Sequence, residues 1–275
     1  MIGAIIGDIV GSRWEFNPIK TKDFEYLEPG KNRFTDDTVM TIAIAYALLN
    51  CSRIDRLGEA AKLSMLYFGN KYPTAGYGKM FIDWLFSDDP KPYNSFGNGA
   101  AMRVSPCGEM ARSIGEAKEL SRRVTEVTHN HPEGIKGAEA VAVSIFLAKS
   151  GKSLKEIKNY INDNYYPMNF TLDEIRDSYQ FDATCQGSVP QALMCAFEAD
   201  SFEDAVRNAV SLGGDSDTLA AIAGSVAGSH YPVSYGLKAS CIAHIPIEFK
   251  QIIYMFLSRC PLPNNMNWLK EQLSK

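Results

Sequence analysis

The stretch Thr38-Val39-Met40-Thr41-Ile42-Ala43-Ile44-Ala45-Tyr46-Ala47-Leu48-Leu49 decides the fold class. Apolar side chains fill nearly every helix-facing position, and Ala, Leu and Met abound, so it reads as a buried helix. The same helical period returns over residues 115–127, 132–149, 190–199, 202–212, 218–229 and 246–260. End signals agree with it. Ser113 and Ser201 suit N-caps, Gly151 suits a C-cap, and Pro132, Pro190 and Pro246 suit first-turn positions. Alternating strand patterns of any length are missing, as are linkers and low-complexity segments. One all-α domain over residues 1–275 is expected.

Composition narrows the class further. The chain has 275 residues, with 28 basic against 32 acidic side chains and a formal net charge of −4. That balance argues against a nucleic-acid binder working through bulk positive charge. A hydrophobic share of 45% and a charged share of 22% fit an ordinary globular protein. No run approaches the roughly 18 apolar residues of a membrane span. Residues 1–12 are apolar-rich, yet they lack a basic n-region and Asp8 interrupts the would-be apolar core, so an intracellular N-terminus is expected rather than a signal sequence. The six cysteines are scattered without a CxxC pair, which suits core filling in a reducing compartment such as the cytoplasm.

Two loop-like stretches, residues 19–33 and 91–99, are rich in Pro, Gly, Asn or charge and lead into polar motifs. The first, 15 residues long, has a length that is uncommon unless the loop serves as a lid or binding element. It ends at Phe34-Thr35-Asp36-Asp37-Thr38, where the first helix described above begins. A second motif, Gly213-Gly214-Asp215-Ser216-Asp217-Thr218, again opens onto a helix. Capping accounts for either motif alone, because Asp and Thr satisfy the orphan amides of a helix start. Two copies, each with two carboxylates and Thr hydroxyls, exceed what caps need. Hard oxygen donors in this density suit Mg²⁺ or Mn²⁺ rather than zinc. If Asp36, Asp37, Asp215 and Asp217 converge, two divalent cations neutralise them; without cations they repel and are driven toward protonation.

Six motifs in order carry a resemblance. They are Gly7-Asp8-Ile9-Val10-Gly11-Ser12 with Glu15; Thr35-Asp36-Asp37-Thr38; Gly97-Asn98-Gly99-Ala100-Ala101-Met102-Arg103; Thr128-His129-Asn130-His131-Pro132; Ser188-Val189-Pro190; and Gly213-Gly214-Asp215-Ser216-Asp217-Thr218. Over nearly its whole length the chain resembles the ADP-ribosylglycohydrolase family, to which the dinitrogenase reductase-activating glycohydrolase belongs. The resemblance implies a compact orthogonal helical bundle with a binuclear Mg²⁺ or Mn²⁺ site. It carries over Thr35, Asp36, Asp37, Asp215, Asp217 and Thr218 as metal ligands. All six positions hold the expected residue.

The implied reaction cleaves the bond from C1 of the distal ribose of ADP-ribose to an acceptor nitrogen or oxygen. Metals there orient ribose hydroxyls and lower the pKa of a bound water, unlike the usual pair of bracketing carboxylates. Glu15 matches a flap glutamate, expected to position or deprotonate the attacking water or to gate ribose entry; it stands with Asp36 and Asp37 as the catalytic set. Gly97-Asn98-Gly99 suits a diphosphate, and Gly76-Tyr77-Gly78 resembles a second phosphate-contacting turn. Phe96 matches an aromatic against the adenosine. His129 is expected on the distal ribose or a phosphate, and His131, His230 and His244 are read as structural. Arg103 is left between a phosphate contact and a scaffold ion pair, and Ser105 between a cap, a phosphate contact and neither.

Arginine-directed members carry an additional acid in the stretch matching residues 72–78, where this chain has none. Phe96-Gly97-Asn98 and Ser188-Val189-Pro190 look nearer the branch acting on O-linked ADP-ribose, including O-acetyl-ADP-ribose. A monomer without membrane or nucleic-acid partners is expected. Two competing readings remain: a non-catalytic ADP-ribose-binding module, and a two-metal nucleotide phosphoesterase that would release AMP.

Overall fold

Helices account for the regular structure of the described residues, and their ends follow local cap chemistry. The computed structural model describes residues 1–261 together with Leu269 and Leu273; the remaining residues of the expected 1–275 domain lie outside the described residues. The first helices are α1 (Ile2–Gly11), α2 (Asp36–Asn50), α3 (Leu57–Lys71), α4 (Lys79–Leu85) and α5 (Gly99–Met102). Then come α6 (Ser105–Met110), α7 (Ile114–Thr125), α8 (Pro132–Lys149), α9 (Leu154–Asn164) and α10 (Leu172–Ile175). The last are α11 (Cys185–Phe197), α12 (Phe202–Leu212), α13 (Ser216–His230), α14 (Tyr235–Ile242) and α15 (Ile247–Arg259). The one β-type pairing among the described residues is an isolated antiparallel bridge between Gly97 and Thr184.

Ser113 and Ser201 cap α7 and α12 by accepting from Glu116 N–H and Asp204 N–H, each at 3.0 Å. Pro132 opens α8, and Gly151 follows its last turn with φ of 82°. Pro190 behaves differently. It lies inside α11, because the Thr184 hydroxyl accepts from Gly187 N–H at 3.1 Å and starts the helix at Cys185. Pro246 is the N-cap of α15 and not its first residue.

α13 runs through the centre, buried from Ser216 to Ala227, and packs against α1, α8, α11 and α12. The α1–α13 contact is backbone on backbone. A Cβ on Gly3 would stand 2.0 Å from Gly224 O, one on Gly7 2.0 Å from Ala220 O, and one on Gly11 2.4 Å from Ser216 O. Glycine at every fourth position makes one bare face on α1. The pairs run in opposite directions along the two helices, so the C-terminal end of α1 meets the N-terminal end of α13. That register delivers Asp8 to the site described below.

The 19–33 loop is pinned across α12. Lys20 Nζ donates to Arg176 O, Tyr179 O and Leu212 O at 2.7, 2.8 and 2.6 Å. Arg207 donates to Lys22 O and Phe24 O, and its guanidinium lies over the Phe24 and Tyr26 rings. Among the described residues, no helix is long and apolar enough to cross a membrane.

Candidate active site

The two acidic motifs meet. Thr35 caps α2, its hydroxyl accepting from Asp37 N–H, which places Asp36 and Asp37 in the first turn. Gly213 and Gly214 hold φ of 69° and 71°, a left-handed pair that turns the chain so that Asp215 takes the N-cap position of α13, its side chain free of any capping bond, and Asp217 sits in the first turn. The Thr218 hydroxyl donates to Asp37 Oδ2 at 3.2 Å, joining the motifs directly. Oxygens of Glu15, Asp215 and Asp217 lie within 4.8 Å of one another. Asn98 Nδ2 donates to Asp215 Oδ2 at 2.7 Å, tying the glycine loop to the acids. Asp36 N–H donates to Ala75 O at 3.0 Å, and Gly76 approaches so closely that a Cβ there would be 3.1 Å from Asp36 Oδ1.

Asp8 underlies this arrangement. It accepts from Thr35 N–H at 3.0 Å, Thr35 Oγ1 at 2.7 Å, Thr38 N–H at 3.1 Å and the Thr38 hydroxyl. The sequence gives Asp8 no role beyond its place in the Gly7-Asp8 motif. An acid inside an otherwise apolar helix was the available signal, since a buried carboxylate requires dedicated donors.

Burial and mutual repulsion dominate the electrostatics. Desolvation, then Asp217, raises Asp8 to about 7. The same two causes raise Glu15 to about 7, with Arg33 opposing. Asp36, Asp37 and Asp215 are pushed well above the usual carboxylate range by burial and then by the Asp217 charge, and burial raises Asp217. Asp37 Oδ1 is buried and has no hydrogen-bond partner among the described residues. An unsatisfied carboxylate oxygen among clustered hard donors fits divalent cations.

A cavity of 390 Å³ leads away from the acids. Glu15, Asp36, Asp37, Asp215, Asp217 and Thr218 line one end; Gly76, Gly78, Gly97, Asn98, Gly99 and His129 line the rest with Tyr77, Met80, Tyr93, Arg103 and Phe181. The glycine loop is held against the start of α11, with Asn98 N–H on Ala183 O and Cys185 N–H on Phe96 O, both at 2.8 Å. Thr35 sits behind the acids and not in the wall. Phe96 is also outside the wall, 43% exposed and edge-on to His131, whereas Phe181, 55% exposed, lines the cavity. Nothing in the residue pattern around Phe181 marked it. His131 Nδ1 accepts from Glu133 N–H as the cap of α8. Ser105 is buried at the start of α6 with its hydroxyl unpartnered, neither cap nor cavity residue.

The model of the family described as ADP-ribosylglycohydrolase matches residues 1–251. The chain is 26% identical to ADP-ribosylhydrolase ARH3 of Homo sapiens, over 84% of each chain. It is 28% identical to ADP-ribosylarginine hydrolase Tri1 of Pseudomonas putida (strain GB-1), over 85% of this chain and 70% of that one. A solved structure named as an ADP-ribosylglycohydrolase-related protein complex shares the fold, with a TM-score of 0.64 at 21% identity, over 100% of this chain and 97% of the other. With the family model spanning all but the last residues, and with a helical fold that its solved relative shares, this chain belongs to the ADP-ribosylglycohydrolase family of hydrolases.

Proposed function

We propose that the protein hydrolyses the glycosidic bond between the distal ribose of ADP-ribose and an acceptor, releasing ADP-ribose. The observation that carries this is the convergence of the Thr35-Asp36-Asp37 and Asp215-Ser216-Asp217-Thr218 motifs at one end of a glycine-walled cavity. Thr35, Asp36, Asp37, Asp215, Asp217 and Thr218 would hold two divalent cations, Mg²⁺ or Mn²⁺. Such ions supply Lewis-acid polarisation of ribose hydroxyls and a water of lowered pKa. Glu15, half-buried beside Asp215 and Asp217, is placed to hold or take the proton of the attacking water. Asp36 and Asp37 orient the distal ribose from the α2 side. The Gly97-Asn98-Gly99 loop, held in shape by Asn98 N–H on Ala183 O and Gly97 N–H on the Ser95 hydroxyl, presents the Gly99 N–H to the diphosphate, with Gly76 and Gly78 in the same cavity wall. His129 donates to a ligand oxygen, and Phe181 flanks the adenosine end.

O-linked ADP-ribose is the preferred substrate class over the arginine-linked form. The Tyr72–Gly78 turn beside Asp36 offers no carboxylate to a guanidinium. The test is incubation with Mg²⁺ or Mn²⁺ and serine-linked, arginine-linked or O-acetyl-ADP-ribose, with products identified by mass. Free ADP-ribose, released fastest from the O-linked substrates, is expected. AMP would indicate a phosphoesterase, and binding without turnover would indicate a sensor.

A further inference from the structure

We infer that Arg103 and Thr128 are positioning residues that lock His129 into the tautomer with its proton on Nε2, making the ring a permanent hydrogen-bond donor to the cavity. The inference starts from an expensive side chain. Arg103 is only 1% exposed, the largest fully buried side chain among the described residues. No carboxylate pairs with it among the described residues, and its Nε has no partner. A buried guanidinium without a carboxylate is costly, and an apolar side chain would fill the space better.

What Arg103 does touch is Thr128 and His129. Its Nη2 lies 2.5 Å from Thr128 Oγ1 and 3.3 Å from His129 Nδ1. Thr128 Oγ1 in turn lies 2.8 Å from the same Nδ1. A guanidinium can only donate. Thr128 Oγ1 therefore accepts from Arg103 and has its own proton to give. The nearest acceptor for that proton is His129 Nδ1 at 2.8 Å; Thr125 O lies at 3.4 Å, and the Tyr93 hydroxyl also faces Thr128. A proton on Nδ1 would point at the Arg103 guanidinium, which can only donate, 3.3 Å away, and could use the second lone pair of Thr128 Oγ1 only by turning that hydroxyl's proton to the longer 3.4 Å contact with Thr125 O. The shorter set of bonds puts the lone pair on Nδ1 and the proton on Nε2.

The other side of the ring is kept open. Nε2 would be 3.3 Å from a Cβ on Gly99 and 3.7 Å from one on Gly97, so both positions leave room in front of it only as glycine. His129 is 6% exposed and lines the cavity. Arg103 and the Tyr93 ring, 5.7 Å away, are the titratable groups against it. Burial and the Arg103 charge hold the ring well below the usual imidazole range, so it stays neutral and offers a single proton. The partner is a ligand oxygen, from a phosphate or a ribose hydroxyl. That last identification rests on the proposed ADP-ribose reading; the tautomer does not.

Long-range proton–nitrogen correlation spectra of the ¹⁵N-labelled protein read the tautomer directly. From about pH 5.5 to about 8.5 the His129 ring should show one unchanging Nε2–H form. An Nδ1–H form, a mixture, or titration to imidazolium within that range overturns the lock. Thr128→Val and Arg103→Met should each introduce a second or titrating form, and an unchanged spectrum in both removes their positioning role. If Arg103→Met fails to fold, the wild-type and Thr128→Val spectra decide. Affinity for free ADP-ribose with Mg²⁺ tests the donor: Gln places an amide N–H near Nε2 and Asn does not reach it. His129→Gln should bind within about threefold of wild type and His129→Asn about tenfold more weakly. Equal losses overturn the donor role. A wild-type protein that shows the lock but binds no ADP-ribose would refute the proposed function instead.

Discussion

Asp8 accepts hydrogen bonds from both the backbone N–H and the hydroxyl of Thr38, 30 positions further along the chain. Together with the same pair of bonds from Thr35, this makes one carboxylate the anchor for the first turn of α2. Asp8 reaches that turn because the glycine face of α1 lies directly on α13.

Asp8→Ala strands the Thr35 and Thr38 donors in a buried site. With saturating Mg²⁺, the variant should lose on the order of 3 kcal/mol of unfolding free energy. It should also bind the cation at least about tenfold more weakly, since Thr35, Asp36 and Asp37 lose their outer support. Denaturant unfolding and metal titration check both; wild-type values would mean that water replaces the carboxylate.

Metal-free protein should be more stable in acid than in alkali within its folded range. Asp8 and Glu15 have folded-state values raised to about 7 by burial and then Asp217, above ordinary values of 3.8 and 4.5. A raised carboxyl value favours the protonated native state, so its contribution is full below the ordinary value and is lost as pH rises through about 7. Thermal midpoints in chelator should fall between about pH 5 and about pH 8, and Mg²⁺ or Mn²⁺ should restore most at the upper end. A midpoint that rises over that interval in chelator would contradict the burial of these acids.

Asn98 links the 97–99 glycine loop to the acidic cluster through Asp215. Asn98→Ala should weaken both cation and ADP-ribose affinity, each by about tenfold. Calorimetry in each order of addition resolves the two. Loss of only one affinity would mean that the 2.7 Å bond does not couple them.

Gly7→Ala would put a Cβ 2.0 Å from Ala220 O, a backbone atom in a central helix. The helices must separate, at a cost on the order of 3 kcal/mol. Gly236→Ala in α14 meets nothing within 4 Å and should be neutral to about 0.5 kcal/mol stabilising. Comparable unfolding midpoints for the two variants would refute the close packing.

Glutamine at position 15 keeps the shape of the side chain and removes its proton chemistry. Glu15→Gln should cut turnover by about a hundredfold or more while substrate still binds. Full turnover with unaltered cation affinity would remove Glu15 from the mechanism.

The parts of the fold that depend on neighbouring residues were legible in the sequence. Ser113 and Ser201 mark their helices because a cap and its amide lie three positions apart. α3 and α9 were not marked: α3 mixes Ala61 and Ser64 into its buried stripe, and α9 buries only Leu154, Ile157 and Ile161. Pro190 suggested a helix start because proline suits one, but a threonine six residues earlier had already supplied the cap. Each acidic motif was visible alone. Their meeting depends on α1 lying against α13, a register written in Gly3, Gly7 and Gly11 that has meaning only once the partner helix is known. Arg103 was left between a phosphate and an ion pair, since neither Thr128 nor His129 is near it in sequence; the structure gives it those two and no carboxylate.

The hydrogen bond from Thr218 to Asp37 spans 181 positions. During synthesis the ribosome therefore releases Asp8, Glu15, Asp36 and Asp37 long before the residues that complete their surroundings exist. The bare face of α1 waits equally long for α13. Domains with such distant pairings assemble late and expose unfinished surfaces meanwhile.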